Sequence, residues 1–320
     1  MARHAFLPLS PRRSEGWKAR PPCNTSSPLE QPLVSALLQT FKDGGNARQL
    51  SRRLHAFARL ELLANADSAV DVARWVAALD GPADYLLLSP NVHEIRAYNR
   101  LARMARGEFL LVLQGDHCLP PTPAWLHEGL EIFARLPRLA MLGGQMGFNQ
   151  VPYRRVAENV SWGAPPCRAV PSQLSVGGRG VPFMFVSGVN IGPLLIRREA
   201  FLRVGGFDEA FSCAGQPGIQ LDTELSLQLW RQGYQVGLWY SAVSNGVGGR
   251  KTRTDRAQKR VRNQNDVING RRCERLFRQH DLAVVDAANK QLEWLPDPEA
   301  ARDDRLLSLG MRSPKRCSEE

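Results

Sequence analysis

Apolar runs alternate with amphipathic segments through the first third of the chain, and this alternation restricts the fold more than any other feature. The apolar runs are rich in Leu and Val, as in strands that are buried on both faces. The segments between them repeat apolar residues at spacings of three and four, which predicts helices. The predicted strands are 33–38, 61–64, 85–88 and 109–113, and the predicted helices are 47–60, 71–79 and 94–106. This order predicts an α/β fold with a mostly parallel central sheet and helices on both faces.

Polar side chains follow three of these predicted strands. Thr40 comes after the first strand, Asp67 after the second and Asp116 after the fourth. In open α/β sheets, ligands bind at the carboxyl ends of the parallel strands. We therefore expect Thr40, Asp67 and Asp116 to lie at one binding site.

The stretch 205–233, GGFDEAFSCAGQPGIQLDTELSLQLWRQG, is the second informative part of the sequence. The residues before it predict a strand at 189–196 and a helix at 198–204. The pair Gly205-Gly206 suits the left-handed backbone that ends a helix without a Cβ penalty. Further predictions are a helix at 125–136, strands at 140–144 and 234–240, and an ordered but irregular insert at 149–180.

A helix is predicted to begin near Asp222, because Leu221, Leu225 and Leu229 form one apolar stripe. Gly233 ends this helix. Acidic groups at the start of a buried helix, opposite a flexible Gly/Pro loop, are well placed for chemistry.

The net charge of +11 indicates an anionic partner, which can be a nucleic acid, lipid headgroups or a phosphorylated small molecule. Most of this charge comes from 250–278, where eleven Lys and Arg residues outnumber three acids. The six cysteines are scattered without a C-x-x-C pair, which predicts neither a disulfide framework nor a zinc site. A reducing compartment follows as the expectation.

No stretch predicts a membrane span, since the most apolar one is interrupted by Pro, Gly and Asn and is shorter than about 20 residues. The N-terminus lacks the apolar core of a secretory signal. We expect a cytoplasmic protein, although the basic N-terminus leaves an organelle transit peptide open.

Several motifs resemble those of one known family. GGFDE-x-F, the following DTEL and LW-x-x-GY are similar to the acceptor half of inverting family 2 glycosyltransferases with the GT-A fold. ELLANADS at 61–68 resembles the family's strand whose acid holds the nucleoside, and EIRAYNRLARMARGE at 94–108 resembles a helix that follows it. FLLVLQGDHCLPP at 109–121 resembles the strand that carries the metal-binding D-x-D. The resemblance covers about 31–245.

The resemblance implies transfer of a glycosyl group from a nucleotide sugar, expected to be UDP-linked, with inversion at the anomeric carbon. The acceptor is an unknown carbohydrate, lipid or protein. Thr40, Phe41, Asp67 and Arg96 are expected to hold the donor. Asp222 matches the family's general base, a role that suits a carboxylate whose pKa is raised by burial.

The resemblance also implies a divalent cation. Asp116 and His117 stand where the family binds Mn²⁺ or Mg²⁺, which neutralises the donor diphosphate as it leaves. Asp116 is expected to contact both the metal and the diphosphate. Arg250 and Lys251 lie in a Gly-containing loop and are expected to stabilise the leaving nucleotide.

With this resemblance, the chain divides into a domain and two flanking segments. The predicted parts are a disordered segment at 1–30, a GT-A domain at 31–280 and a polar tail at 281–320. The domain comprises a nucleotide-binding half at 31–118, an acceptor half at 119–247 and a basic segment at 248–280.

Other interpretations of these residues stay open at this point. Gln114, Ala66 and Leu221 replace acids of the family pattern, which permits a catalytically inactive protein that keeps the fold and acts in binding or as a scaffold. Asp222 can instead cap its helix, and Asp116 can accept hydrogen bonds from loop amides.

The basic segment has alternatives too. It can be a solvated helix, or it can bind nucleic acid, although no aromatic residues interleave with the charges. His117 can be an ordinary loop histidine, and Glu224 a partner of the helix dipole.

Overall fold

A nine-stranded mixed sheet forms the centre of the part of the chain that the structure describes. The structure is a computed structural model, and it describes residues 31–42, 44–79, 81–144, 146–149, 161–162, 173–176, 179–245 and 256–292.

The strands and helices follow one another in the predicted alternation. The strands are β1 Val34–Thr40, β2 Leu60–Ala66, β3 Tyr85–Leu88, β4 Phe109–Gln114, β5 His117–Cys118, β6 Leu139–Gly143, β7 Gly147–Phe148, β8 Ser161–Trp162, β9 Gln173–Val176, β10 Arg179–Phe185, β11 Gly188–Val189, β12 Leu194–Arg197, β13 Gln235–Trp239 and β14 Ser244–Asn245. The helices are α1 Ala47–Leu54, α2 Ala69–Val76, α3 His93–Met104, α4 Ala124–Arg135, α5 Arg198–Arg203, α6 Leu221–Arg231, α7 Arg256–Arg278 and α8 Leu282–Lys290. Two 3-10 turns lie at Gly44–Asn46 and Glu209–Phe211.

The strand order in the large sheet is β3-β2-β1-β4-β12-β6-β13-β10-β9. The pairs β3–β2, β2–β1, β1–β4 and β6–β13 are parallel. β12 is antiparallel to both of its neighbours, and so is β10. All strands of this sheet except β10 and β12 therefore share one direction, which confirms the prediction of a mostly parallel sheet.

The helices lie on both faces of this sheet, as predicted. The chain moves from β1 through α1 to β2 and through α2 to β3, always toward the same edge. It then returns through α3 to β4 on the other side of β1. Because parallel crossovers are right-handed, α1 and α2 cover one face and α3 covers the opposite face. β1, β2 and β6 are buried along their whole length, whereas the edge strand β3 is partly exposed.

The double glycine after α5 has the backbone that the sequence predicts, with φ of 91° at Gly205 and 78° at Gly206. The turn is fixed to α3 by Asn99, whose Nδ2 donates to the Phe207 carbonyl at 2.8 Å and whose Oδ1 accepts from the Phe207 N–H at 2.9 Å. This pair of hydrogen bonds joins the two predicted halves of the domain.

Substitution of the two glycines by alanine should have unequal effects on stability. A Cβ at Gly206 would lie 2.6 Å from Asn99 Oδ1, whereas a Cβ at Gly205 meets nothing within 4 Å. Gly205→Ala is expected to cost about 1 kcal/mol from the left-handed backbone alone. Gly206→Ala should cost roughly 2–4 kcal/mol, because it also disrupts the buried Asn99 hydrogen bonds. Urea unfolding of both variants measures the difference, and equal losses would contradict this account.

The prediction of a single strand at 189–196 is wrong. The chain forms β11 and β12 instead, and these belong to two different sheets. Pro193 has no N–H to donate to a strand ladder, which favours a break here. The Ile191 N–H, in the gap between the strands, donates to Asp222 Oδ2 at 2.9 Å. The break therefore directs a backbone donor toward a residue of the candidate site.

A polar tail is predicted from residue 281, but the structure has a helix in the first part of this segment. Residues 282–290 form α8, where Val285 and Ala288 are buried. The Asn289 side chain accepts from the Phe185 N–H at 2.8 Å and donates to the Phe185 carbonyl at 2.9 Å. α8 is therefore attached to β10 by two hydrogen bonds from one side chain to the strand backbone.

Other differences are smaller. α1 ends at Leu54 rather than at residue 60, and the following turn leads directly into β2. Part of the insert predicted to be irregular forms β9 and β10, which extend the large sheet.

Cys118 is disulfide-bonded, a bond that the spacing of the cysteines does not predict, while Cys213 and Cys273 are free thiols.

The predictions for 1–30, most of 149–172, 246–255 and 293–320 fall outside the described residues. Within the described ranges, no helix combines the length and the apolar character that crossing a lipid bilayer requires.

Candidate functional site

The ends of β1, β2 and β4 bring the predicted strand-end residues to one edge of the sheet. Thr40 is paired with Ala66, the residue before Asp67, and Gln39 is paired with Gln114, two residues before Asp116. Thr40, Asp67 and Asp116 therefore lie along the same carboxyl edge, where ligands of parallel sheets bind.

Asp67 is used by the fold at this edge. Its Oδ1 accepts from the Val92 N–H at 2.7 Å, and its Oδ2 accepts from the His93 N–H at 2.9 Å and from Gln39 Nε2 at 3.2 Å. These bonds hold the start of α3 against β2. Burial raises the pKa of Asp67, and the hydrogen bonds from Val92 and His93 partly oppose that rise.

Thr40 is likewise engaged inside the protein. Its hydroxyl accepts from Trp75 Nε1 at 3.0 Å and donates to the Asn65 carbonyl at 3.4 Å, and the residue is buried. The structure thus places Thr40 and Asp67 beside the predicted donor site but gives their polar atoms internal partners.

Phe41 and His93 form an aromatic pair at this edge. Phe41 is half-buried, and its ring centroid lies 4.7 Å from that of the fully buried His93. Neither ring nitrogen of His93 has a hydrogen-bond partner among the described residues, although Nδ1 lies 4.0 Å from Asp67 Oδ2 and from Glu94 Oε2. No pattern in the sequence distinguishes His93, because only the fold brings α3 against the end of β1.

The guanidinium of Arg96, which the resemblance assigns to donor binding, contacts Glu209 and Ser212. Its guanidinium donates to the Glu209 carbonyl at 3.2 Å and to Ser212 Oγ at 3.4 Å, and it forms an ion pair with Glu209 at 3.6 Å. Arg96 therefore attaches α3 to the turn after the double glycine. Arg250 and Lys251 lie outside the described residues.

His117 is fully buried and closes the turn between β4 and β5. Its Nδ1 accepts from the Gln114 N–H at 3.3 Å. Since a backbone N–H can only donate, the proton of the neutral ring is on Nε2. Burial lowers the pKa of His117 to about 3, so the ring is neutral at physiological pH. In this tautomer neither nitrogen has a free lone pair for a metal ion.

Asp116 is half-buried directly beyond β4. Tyr98, whose hydroxyl donates to the Leu113 carbonyl at 2.8 Å, lies close enough to Asp116 for the carboxylate to affect its pKa. Burial raises the pKa of Tyr98, and the carboxylates of Glu94 and Asp116 raise it further. Asp116 thus contributes a carboxylate at the edge where the family carries its D-x-D motif.

These side chains do not fit a divalent cation as the family binds it. Gln114 has an amide in place of the first acid, and His117 offers no lone pair. Among the described residues, no group of three or more His, Cys, Asp or Glu side chains is arranged to hold a metal ion.

Asp222 lies in the first turn of α6, but it is not the cap of this helix. Gln220 occupies the N-cap position, with a left-handed φ of 73°. Asp222 Oδ2 accepts from the Ile191 N–H and Oδ1 accepts from the Thr223 N–H, both at 2.9 Å. Burial raises the pKa of Asp222, and these backbone hydrogen bonds partly oppose the rise. The simple capping interpretation does not account for this geometry.

The sheet register brings Asp222 and Asp116 to the same edge. Leu194 of β12 is paired antiparallel with Val112 of β4. The chain before Leu194 therefore runs beside the chain after Val112. Ile191, which binds the Asp222 carboxylate, belongs to the first of these segments, and Asp116 belongs to the second.

Glu224 lies two residues after Asp222 in α6. Residues two apart on a helix point in nearly opposite directions. Glu224 is 5% exposed, and this burial raises its pKa to about 7. The hydrogen bond with Gln228 and the charge of Arg231 lower the pKa, whereas the carboxylate of Asp208 raises it further. Burial raises the pKa of the Cys273 thiol of α7, and the carboxylates of Asp222 and Glu224 raise it further, so Cys273 lies near both acids.

Replacement of Glu224 by Gln should change how stability depends on pH. A raised pKa in the folded state means that folding favours the protonated acid, so stability falls as the pH rises from about 4.5 to about 7. Glu224→Gln should remove up to roughly 3 kcal/mol of this pH-dependent decrease in the free energy of unfolding. Chemical unfolding at pH 5 and pH 8 measures it. The exposed Glu199→Gln is the control, and an unchanged pH slope in Glu224→Gln would refute the assignment.

The structure thus defines a mixed α/β domain with two carboxylates near the carboxyl edge of a mostly parallel sheet. Neither a known family profile nor a curated protein matches the chain. Solved glycosyltransferase structures are similar to it in fold at low sequence identity.

Mannosyltransferase PcManGT from Pyrobaculum calidifontis, in complex with GDP-Man and Mn²⁺, is 16% identical, with 70% of this chain and 57% of that chain covered and a TM-score of 0.44. S. aureus TarS is 12% identical, with 65% and 35% covered and a TM-score of 0.43. TarS in complex with UDP-GlcNAc is 13% identical, with 65% and 57% covered and a TM-score of 0.43. The chain thus spans between 35% and 57% of the length of these structures. This likeness concerns the fold alone.

Proposed function

We propose that the protein transfers a glycosyl group from a nucleotide sugar, UDP-linked, to an acceptor hydroxyl with inversion. The observation that carries this proposal is the position of Asp222. Its carboxylate is held by the Ile191 N–H, has a raised pKa and lies at the same sheet edge as Asp116. A general base for an acceptor hydroxyl needs these properties.

In the proposed reaction, the Asp222 carboxylate removes the proton from the acceptor hydroxyl as its oxygen attacks the anomeric carbon. The bond between that carbon and the donor phosphate oxygen breaks on the opposite face, and the electron pair leaves with the nucleoside diphosphate. The backbone donors from Ile191 and Thr223 fix the orientation of the carboxylate. An in-line attack from the face opposite the leaving group gives inversion.

The donor is proposed to lie along the carboxyl edge, over the Phe41–His93 pair and against Asp116. Because the side chains around Asp116 do not fit a metal ion, Asp116 is proposed to accept hydrogen bonds from donor hydroxyls. Arg250 and Lys251 remain the proposed cations for the leaving diphosphate. Asn245, which pairs with His117, precedes Arg250 by five residues, and this short connection supports the assignment.

A second candidate is a nucleotide-sugar-binding or scaffold protein without turnover. The internal partners of Thr40 and Asp67 favour it, because both residues already serve the fold. Measurement of transfer separates the two candidates, since an inactive protein binds the nucleotide sugar and releases no nucleotide.

Asp222→Asn should reduce kcat/KM for transfer by about 10²–10⁴, because the amide cannot accept the proton. Stabilisation by the nucleotide sugar in a thermal-shift assay should remain. Glu224→Gln is the matched control on the same helix and should keep its activity. The wild-type kcat/KM should rise with pH through the raised pKa of Asp222, since the base works in its ionised form. Full activity in Asp222→Asn would exclude this residue as the base.

Asp116→Asn should weaken donor binding while leaving the fold intact. A thermal-shift screen of nucleotide sugars, each with and without Mn²⁺, measures the effect as a loss of stabilisation relative to wild type. Glu108→Gln, an exposed acid before β4, is the control. If the variant binds the nucleotide sugar as tightly as wild type does, Asp116 is not a donor contact.

A further inference from the structure

A groove of about 950 Å³ lies between α7 and the loop that leads into α6. One wall consists of Cys213 and Gln216, and the other is one side of α7 between Arg256 and Ile268. The lining positions on α7 repeat at helical spacings of three and four, so they form a continuous surface. We call this feature the α7 groove.

Three cations line the first turns of the α7 groove, Arg256, Lys259 and Arg260, and all three are exposed. Within the described part of the chain, none of them forms an ion pair with a carboxylate. The acids of α7 are engaged elsewhere, since Asp266 accepts from Gln220 Nε2 at 3.1 Å and Glu274 pairs with Arg278 at 2.6 Å. Like charges this close on a helix repel one another, and an anionic ligand would relieve the repulsion.

The groove is held in shape by side chains of α7. Asn265 Nδ2 donates to the Pro217 carbonyl at 3.1 Å and to Gln216 Oε1 at 3.4 Å. Asn269 Nδ2 donates to the Phe211 carbonyl at 2.6 Å and to the Ile219 carbonyl at 2.9 Å. These bonds fix both ends of the loop on the helix, so a ligand does not have to order it.

The loop that forms one wall of the α7 groove leads into the first turn of α6. The loop that forms its wall ends at Gln220, whose Oε1 accepts from Thr223 Oγ1 at 3.2 Å. Thr223 directly follows Asp222. A chain bound in the groove can therefore extend along this loop toward the proposed base.

We propose that the α7 groove binds the acceptor, and that this acceptor is a hydroxyl-rich chain bearing repeated anionic groups. The proposal rests on the proposed function and specifies its acceptor class. The three cations fit phosphate or carboxylate groups, and the amides of Gln216 and Asn263 suit the hydroxyls between them.

The lining of the groove disfavours other anionic partners. None of its residues is aromatic, so it lacks the stacking surface that single-stranded nucleic acid uses. Its exposed aliphatic side chains are Val267 and Ile268, at 58% and 52%, and two such groups give little insertion into a lipid surface.

The test uses Cys213, an exposed free thiol in the groove wall, and Cys273, a buried thiol that serves as the internal reference. The full chain is alkylated with iodoacetamide, and peptide mass spectrometry measures the rate at each cysteine. Inorganic polyphosphate and polygalacturonate are the probes, and they distinguish phosphate from carboxylate groups. At least one should slow alkylation of Cys213, while neutral dextran should not.

The variant Arg256→Gln/Lys259→Gln/Arg260→Gln should weaken binding of the protecting polymer on the order of tenfold, since each exposed ion pair contributes a modest factor. The matched control is Arg271→Gln/Arg275→Gln/Lys290→Gln, which removes the same charge from exposed positions outside the groove. Its affinity should change by no more than about twofold.

Equal losses in the two triple variants would overturn the proposal, because the effect would then follow net charge alone. Protection of Cys213 by single-stranded DNA or anionic vesicles as strong as that by either polymer would also overturn it, as would no protection by either polymer. Thermal shift with a nucleotide sugar is read on the same samples. A missing response there, with polymer binding intact, would count against glycosyl transfer and not against the groove.

Discussion

The hydrogen bond from the Ile191 N–H to Asp222 connects the parts of the molecule on which the candidate site depends. It lies in the break between β11 and β12, where Pro193, which has no N–H for a strand ladder, directly precedes β12. The freed amide then meets the first turn of α6. Through β12 the same segment is registered against β4, which ends beside Asp116. This segment therefore connects α6, which carries Asp222, to the strand that precedes Asp116.

Some of the polar residues at the sheet edge have partners inside the protein. Thr40 and Asp67 give their side-chain atoms to Trp75 and to the start of α3, which satisfies groups that are costly to bury unpaired. Phe41 and Asp116 are half-buried and reach the edge.

Charge is separated across the domain in a way that fits the proposed donor and the proposed anionic acceptor. The carboxylates of Asp116 and Asp222 lie toward the carboxyl edge of the sheet. The cations of the α7 groove lie on the far side of the loop that leads into α6. An acceptor held by its anionic groups in that groove would present a neutral hydroxyl to the base. Long-range attraction to the groove would also speed its capture.

The sequence by itself determined the layered α/β fold, the direction of most strands and the left-handed glycine turn, because apolar periodicity and glycine conformation are local properties. It also placed Asp116 and Asp222 at the ends of elements. Only the tertiary structure decided that Asp222 is held by Ile191 rather than capping α6, that Arg96 and Asp67 serve the fold, and that His93 lies against Phe41. Those outcomes depend on contacts between residues far apart in the chain, and no local pattern encodes which buried polar group will find which partner.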